Sequence, residues 1–142
     1  MKVLFVCLGN ICRSPAAEGV VRRLAPDWET DSAGTGDWHV GKPPYGPMLE
    51  AARARGLEIG DLRARQVTAR DFERFDVICA MDRQNFVDLD AMRPEGSRAD
   101  LRMFDERDVP DPYYTRDFDG ALDLIEAAAA RLVNDRSVRP SA

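Results

Sequence analysis

The chain has 142 residues, 44% hydrophobic and 32% charged, a balance that fits one globular domain and excludes a disordered segment. Its net charge of −5, with no basic run, argues against a nucleic-acid partner, so any anion must be held by a local device. Three cysteines without a C-x-x-C pair and a single His leave no zinc site. The expectation is of reduced thiols in a cytoplasmic protein. The apolar runs Val3 to Leu8 and Ala127 to Ala130 are far shorter than the roughly 20 residues a membrane span needs. Lys2 followed by a strand-like run does not read as a signal peptide, and no membrane role is expected.

Lys2 to Val6 is apolar and β-branched without a break, as in a strand buried on both faces. A polar turn, Cys7 to Ser14, leads to a helix over Ala16 to Leu24, with Ser14 as its N-cap and Pro15 at its first position. Trp28 to Ala33 alternates as a second strand. Gly34 to Pro47 is a long irregular stretch, the kind that is functional or mobile. Met48 to Arg55 is a helix stopped by Gly56. Thr68 to Phe75 is a short helix with Thr68 as N-cap and Asp71 at N3. Asp76 to Met81 is a buried strand, Asp82 to Met92 a helix, and Leu101 to Phe104 a last strand. Glu106 to Thr115 is a polar, Pro-marked loop. Phe118 to Val133 is a final helix with Leu122, Ile125, Ala129, Leu132 and Val133 on one face. A single catalytic domain over 1–136 and a flexible tail over 137–142 are expected.

Strands alternating with helices imply a parallel sheet with helices on both faces, a three-layer α/β/α fold. Ligands of such folds sit beyond the carboxyl ends of the strands. Cys7 lies at that end of the first strand, and the Asp111 loop follows the fourth strand at the same end.

The turn Cys7-Leu8-Gly9-Asn10-Ile11-Cys12-Arg13-Ser14 joins a buried strand to a helix N-terminus. Its backbone N–H groups have no strand partner and can curl into a nest around an anion. Gly9 permits close backbone approach, and Asn10 tolerates positive φ. Arg13 offers a planar fork matching two phosphate oxygens. Cys7 would feel the helix dipole, the amides and Arg13, each of which favours thiolate over thiol. Ser14 would donate to that thiolate. A small core residue ending a strand is the competing reading of Cys7. Neither a Walker loop nor a dinucleotide fingerprint fits. Thiolate attack needs a proton donor, and Asp111, fixed between Pro110 and Pro112, is the candidate. Tyr113 and Tyr114 would cover the carboxyl and favour its protonated form. An ordinary Asx-Pro turn would look the same.

Val6 to Glu18 (VCLGNICRSPAAE) resembles the signature of the low-molecular-weight protein tyrosine phosphatases. The likeness continues through Asp31-Ser-Ala-Gly-Thr, Trp38 to Tyr45, Ala64-Arg-Gln-Val-Thr, Ala80-Met-Asp and Asp111-Pro-Tyr-Tyr, in family order over nearly the whole chain. The resemblance implies a four-stranded parallel sheet and a metal-independent, two-step hydrolysis of phosphotyrosine without cofactor. In it Cys7 attacks phosphorus and forms a phosphocysteine. Arg13 and the amides from Leu8 through Ser14 bind the equatorial oxygens, and Asp111 acts as general acid and then base. Phosphate, sulfate or vanadate would occupy the same loop. Asn10, Ser14 and Ser32 match positions that hold the loop's shape. Cys12 matches a thiol that pairs with Cys7 on oxidation, or is a small helix-start residue. Leu8, Ile11, Trp38, Tyr113 and Tyr114 are expected to wall the pocket, although Trp38 would also serve as a loop anchor packed on the core. His39 reads as a loop residue without a chemical role. No exposed apolar stripe demands a partner, so a monomer is expected.

One position departs from the pattern: relatives often carry a His shortly before Ala-Arg-Gln, where this chain has Leu62. What holds the loop from behind is therefore open. A thiol-based arsenate reductase shares the fold and nearly the loop but needs relay cysteines, and Cys79 is the only distant thiol. A phosphotyrosine-binding module with an inert loop would not need Cys7, Arg13 and Asp111 together.

Overall fold

A computed structural model of the chain describes residues 1–138. Four strands, β1 (Lys2–Cys7), β2 (Glu29–Gly34), β3 (Val77–Ala80) and β4 (Asp100–Met103), form one sheet in the order β2-β1-β3-β4. Every pairing is parallel. The register sets Cys7 opposite Gly34 and Val6 opposite Ala80, so β1 and β2 extend beyond β3 at the carboxyl edge.

The continuous apolar run of β1 is explained by its two buried faces. Val3, Phe5 and Cys7 face one core, shared with Val77 and Cys79 of β3. Helices α1 (Arg13–Leu24), α2 (Gly46–Ala54) and α6 (Phe118–Asn134) close that side through Ala16, Val20, Met48, Leu122 and Ile125. Leu4, Val6, Ile78 and Ala80 face the other core with Phe72, Phe75 and Leu89, which belong to or flank α3 (Asp71–Arg74) and α4 (Arg83–Met92). Each large apolar side chain buried this way contributes about 1.5–3 kcal/mol relative to exposure. The three-layer arrangement is the expected one.

Several boundaries differ from expectation for identifiable reasons. Helix α1 starts at Arg13 with Cys12 at the cap position, so Ser14 is not the N-cap but lies inside the first turn. Its hydroxyl turns toward Cys7 and Asn10 instead of its own helix amides. Helix α2 begins at Gly46, which shortens the irregular stretch, and Gly56 beyond its end has φ 74°. Helix α3 is confined to four residues with Arg70, not Thr68, at its cap. The Asp71 carboxylate instead accepts from the Thr68 N–H at 2.8 Å. Residues 112–115 of the expected Pro-marked loop form a single helical turn, α5 (Pro112–Thr115), capped by Asp111, which accepts from the Tyr113 N–H at 3.1 Å. Of the expected tail, Ser137 hydrogen-bonds Asp135 and Val138 is buried against the α6 core; the remainder lies outside the described residues.

In strand order the chain turns left from β1 to β2 and right to β3, so the crevice between the β1 and β3 ends is the topological switch point. The loops after β1, β3 and β4 meet there. The Val109 N–H donates to the Met81 carbonyl at 2.9 Å and fastens the third of these loops across the second.

Candidate active site

The turn after β1 is held in one conformation by its own polar atoms. Asn10 sits at φ 56°, a region open to few non-glycine residues. Its N–H donates to the Cys7 sulfur at 3.3 Å, and its amide Nδ2 donates to the Ser14 hydroxyl at 2.8 Å. That hydroxyl lies 3.0 Å from the Cys7 sulfur and 3.4 Å from the Ala33 carbonyl. Cys7, Asn10 and Ser14 are almost fully buried. Among the described residues, the N–H groups of Leu8, Gly9, Ile11 and Cys12 have no acceptor. They form a row of free donors at the head of α1.

Arg13, only 2% exposed, reaches under this turn. Its Nη1 donates to Asp82 Oδ2 at 2.7 Å and to the Val109 carbonyl at 3.0 Å, and its Nη2 donates to Asp111 Oδ2 at 3.3 Å. The buried Nε has no partner among the described residues. Burial works against the guanidinium charge, but Cys7, Asp82 and Asp111 more than offset it, and the net shift is upward. Cys7, Arg13 and Asp111 are therefore brought together. Asp82 joins them; the sequence offers it as the end of the Ala80-Met-Asp likeness without a role, and it also caps α4 by accepting from the Asn85 N–H at 2.7 Å.

The back of the turn is anchored by Arg65, which the sequence offers only as part of the Ala64-Arg-Gln-Val-Thr likeness, with no role. The Arg65 N–H donates to Asn10 Oδ1 at 2.9 Å. The Arg65 side chain is clamped between Asp31 at 3.0 Å and Asp71 at 2.9 Å. This clamp lies three residues past Leu62, which packs on the α1–α6 core. Ser32 makes no direct bond to the turn. Its hydroxyl donates to Glu18 Oε1 at 2.7 Å, one helical turn below Ser14 on α1. Burial, with a smaller push from Asp31, raises the Glu18 carboxyl to about 7 against the Ser32 bond. Gly34 permits the turn to lie where it does: a Cβ there would come within 2.7 Å of the Leu8 carbonyl.

Above the turn lies a cavity of about 310 Å³. Cys7, Gly9, Cys12 and Arg13 form its floor, Leu8 and Ile11 its lower wall, and Trp38, His39, Tyr113 and Tyr114 its rim, with Asp111 at one side. All five expected wall residues are present. Trp38 is 66% exposed and is no core anchor; its ring lies over Gly36, where a Cβ would overlap it. His39 was not expected here, yet its ring rests 3.1 Å from where a Gly9 Cβ would be. Tyr113 is braced by Tyr45 and Tyr114, with ring centroids at 5.1 and 5.3 Å. Cys12 is buried beside Cys7, and burial pushes its thiol far above the usual range, with Cys7 and Asp111 adding to the effect. Cys79 lies fully buried in the core, its thiol pushed up to about 12 by burial.

A four-stranded parallel sheet with this turn at its carboxyl edge defines a class, the phosphatases whose loop runs from a cysteine to an arginine. Residues 2–140 match the family described as low molecular weight phosphotyrosine protein phosphatase. The chain is 40% identical to the low molecular weight protein-tyrosine-phosphatase YfkJ of Bacillus subtilis over 94% of each chain. The crystal structure of YfkJ superposes with a TM-score of 0.88, covering 94% of this chain and 92% of that one. Vibrio vulnificus Wzb, solved in complex with benzylphosphonate, superposes at 0.86 with 31% identity over 92% and 95% of the two chains. DARP, a Drosophila arginine phosphatase, superposes at 0.89 with 31% identity over 94% and 96%. The chain belongs to the low molecular weight phosphotyrosine protein phosphatases. It is an enzyme of that metal-independent family, acting on a phosphoprotein through a bound phosphate group.

Proposed function

We propose that the enzyme hydrolyses phosphotyrosine in two in-line steps, with Cys7 as nucleophile. The observation that carries this reading is the convergence of the Cys7 sulfur, the free loop amides, Arg13 and Asp111 beneath one aromatic-rimmed cavity. The amides of Leu8, Gly9, Ile11 and Cys12 and the unpartnered Arg13 Nε would hold the equatorial oxygens, where charge accumulates in the transition state. The dianion competes with Asp111 for Arg13, and the freed carboxyl takes up a proton from solvent and turns to face the leaving oxygen. Cys7 then attacks phosphorus, the P–O bond breaks, and Asp111 gives its proton to the departing phenol. In the second step Asp111 takes a proton from water, which attacks the phosphocysteine and restores the thiolate. Asp82 keeps Arg13 aimed throughout, and Ser14 and Asn10 supply hydrogen bonds to the sulfur as it regains charge.

The aromatic rim supports an aryl ester over a phosphorylated arginine. A guanidinium leaving group would call for carboxylates at the wall, and among the described residues Asp111 is the one acidic side chain lining the cavity. The buried Cys12 thiol supports a further role: if peroxide oxidises Cys7 to a sulfenic acid, Cys12 displaces water and forms a disulfide that thiols reduce. The three free cysteines support a cytoplasmic setting. Cys79, sealed in the core, is unsuited to relay a disulfide and speaks against a reductase. In a direct test, purified protein is expected to release phosphate from phosphotyrosyl peptides and 4-nitrophenyl phosphate much faster than from phosphoarginine, with Cys7→Ser inactive. Equal turnover of phosphoarginine, or an active Cys7→Ser, would overturn the reading.

A further inference from the structure

Beside the phosphate cavity lies a second groove, of about 340 Å³. The two share Ile11, His39 and Tyr113 as a common ridge. The far wall of the groove is Lys42, Pro43 and Tyr45. Resting on the phosphotyrosine reading above, we propose that this groove is a peptide subsite that takes an acidic side chain flanking the phosphotyrosine.

Its wall is held in place before any ligand arrives. The Tyr45 N–H donates to the Ile11 carbonyl at 2.8 Å, which ties the wall to the phosphate turn. The Gly41 N–H donates to the Ala64 carbonyl and the Ala64 N–H to the Lys42 carbonyl, at 2.8 and 2.9 Å, so the backbone on either side of Lys42 is pinned. A binding surface fixed in this way loses little entropy on binding.

Charge selects the occupant. The chain is acidic, at −5, and away from the cavity Arg22, Arg53, Arg55 and Arg102 are each engaged by carboxylates. Lys42 and Arg116 are not. The Lys42 ammonium is exposed and makes no ion pair among the described residues. Arg116 donates to the Tyr45 hydroxyl at 3.1 Å and lies over the Tyr45 and Phe118 rings, with no carboxylate partner among the described residues. Lys42 therefore lines a groove walled mostly by Pro43 and Tyr45, and a second cation, Arg116, stands over the Tyr45 ring beside it. A glutamate fits: its methylene stem lies on the apolar wall and its carboxylate meets the cations. In an extended peptide, side chains two positions apart lie on one side about 6.5–7 Å apart, so the phosphotyrosine and such a residue would straddle the shared ridge.

The test uses phosphotyrosyl peptides carrying Glu, Gln or Lys at each of the two positions on either side, with 4-nitrophenyl phosphate, which cannot reach the groove, as the reference. At one position kcat/KM is expected to fall about fivefold from Glu to Gln and further to Lys, and the preference is expected to shrink with added salt. K42E should abolish or reverse it and K42M should flatten it, with 4-nitrophenyl phosphate turnover unchanged. Equal rates for Glu and Gln peptides at every position, or a preference that survives in K42E, would overturn the groove assignment while leaving the phosphatase reading intact. Loss of all turnover in the unaltered protein would overturn both.

Discussion

The floor and the rim of the cavity are built in opposite ways. Cys7 and Arg13 on the floor, and Asn10 and Ser14 beneath it, are 3% exposed or less, and a net of hydrogen bonds fixes each of them. Trp38 and Tyr114 on the rim stand 66% and 71% exposed and are held mainly by ring packing. The contrast separates two demands. In-line displacement at phosphorus tolerates little misplacement of sulfur or donor, and an error of about 1 Å costs about a hundredfold. Recognition of a flat ring tolerates more, because stacking is broad in angle and weak per contact. Changes at the floor should therefore strike kcat, and changes at the rim should strike KM.

The largest effect that sharpens this contrast is expected at Asp111. Asp111→Asn should lower kcat/KM, which reports P–O cleavage alone, by about 10²–10⁴-fold for phosphotyrosine, and much less for 4-nitrophenyl phosphate, whose leaving group departs unaided. Rates across a series of phenol leaving groups check this, and an equal loss for all of them would remove the acid role. Asp82→Asn comes next. Asn still caps α4, so thermal stability should change little, but Arg13 loses its 2.7 Å charge partner. A fall in kcat/KM of about tenfold is expected, and its absence would leave Asp82 as a cap alone. At the rim, Trp38→Ala should raise KM by about three- to tenfold with kcat nearly unchanged, the worth of one aromatic stack. A matching loss in kcat would erase the distinction between floor and rim.

The smallest expected effect on catalysis lies behind the floor, and it appears as stability. The Glu18 carboxyl is raised from an ordinary 4.5 to about 7, with burial as the main cause. Between those two values the folded state holds more protons than the unfolded state, so this group's contribution to stability falls as pH rises and is fully unfavourable above about 7. Glu18→Gln keeps the acceptor for Ser32 and removes the charge. It should gain on the unaltered protein by about 2–3 kcal/mol between pH 5 and pH 8 in chemical denaturation. A pH-independent difference would contradict the account of Glu18.

The division between floor and rim also marks what was legible in the chain. The apolar run before Cys7, the free-amide turn and the Pro-flanked Asp111 are local patterns, and the topology of a parallel sheet carries Cys7 and Asp111 to one edge. Asp82, Arg65 and Glu18 are not local. Asp82 meets Arg13 across 69 positions and Arg65 meets Asn10 across 55, and both contacts exist only once the strands are in register. In sequence Asp82 closes the Ala80-Met-Asp likeness, and nothing local joins it to Arg13. Leu62 leaves a gap in the side-chain support of the turn; the support comes instead from the Arg65 backbone, which no side-chain pattern reports. Ser before Pro favours a cap and the turn favours a bond to Cys7; of the two roles expected of Ser14 the second prevails, because the pull of Cys7 and Asn10 on its hydroxyl outweighs the helix amides.

In the proposed reaction the phosphoryl group passes through the Cys7 sulfur. Asp111→Asn mixed rapidly with 4-nitrophenyl phosphate and quenched should trap it, because the phenolate leaves unaided while hydrolysis lacks its base. A burst of one 4-nitrophenolate per active site is predicted, with a phosphoryl group on the peptide that carries Cys7 by mass spectrometry. No burst, or a phosphoryl group on any other residue, would contradict the account.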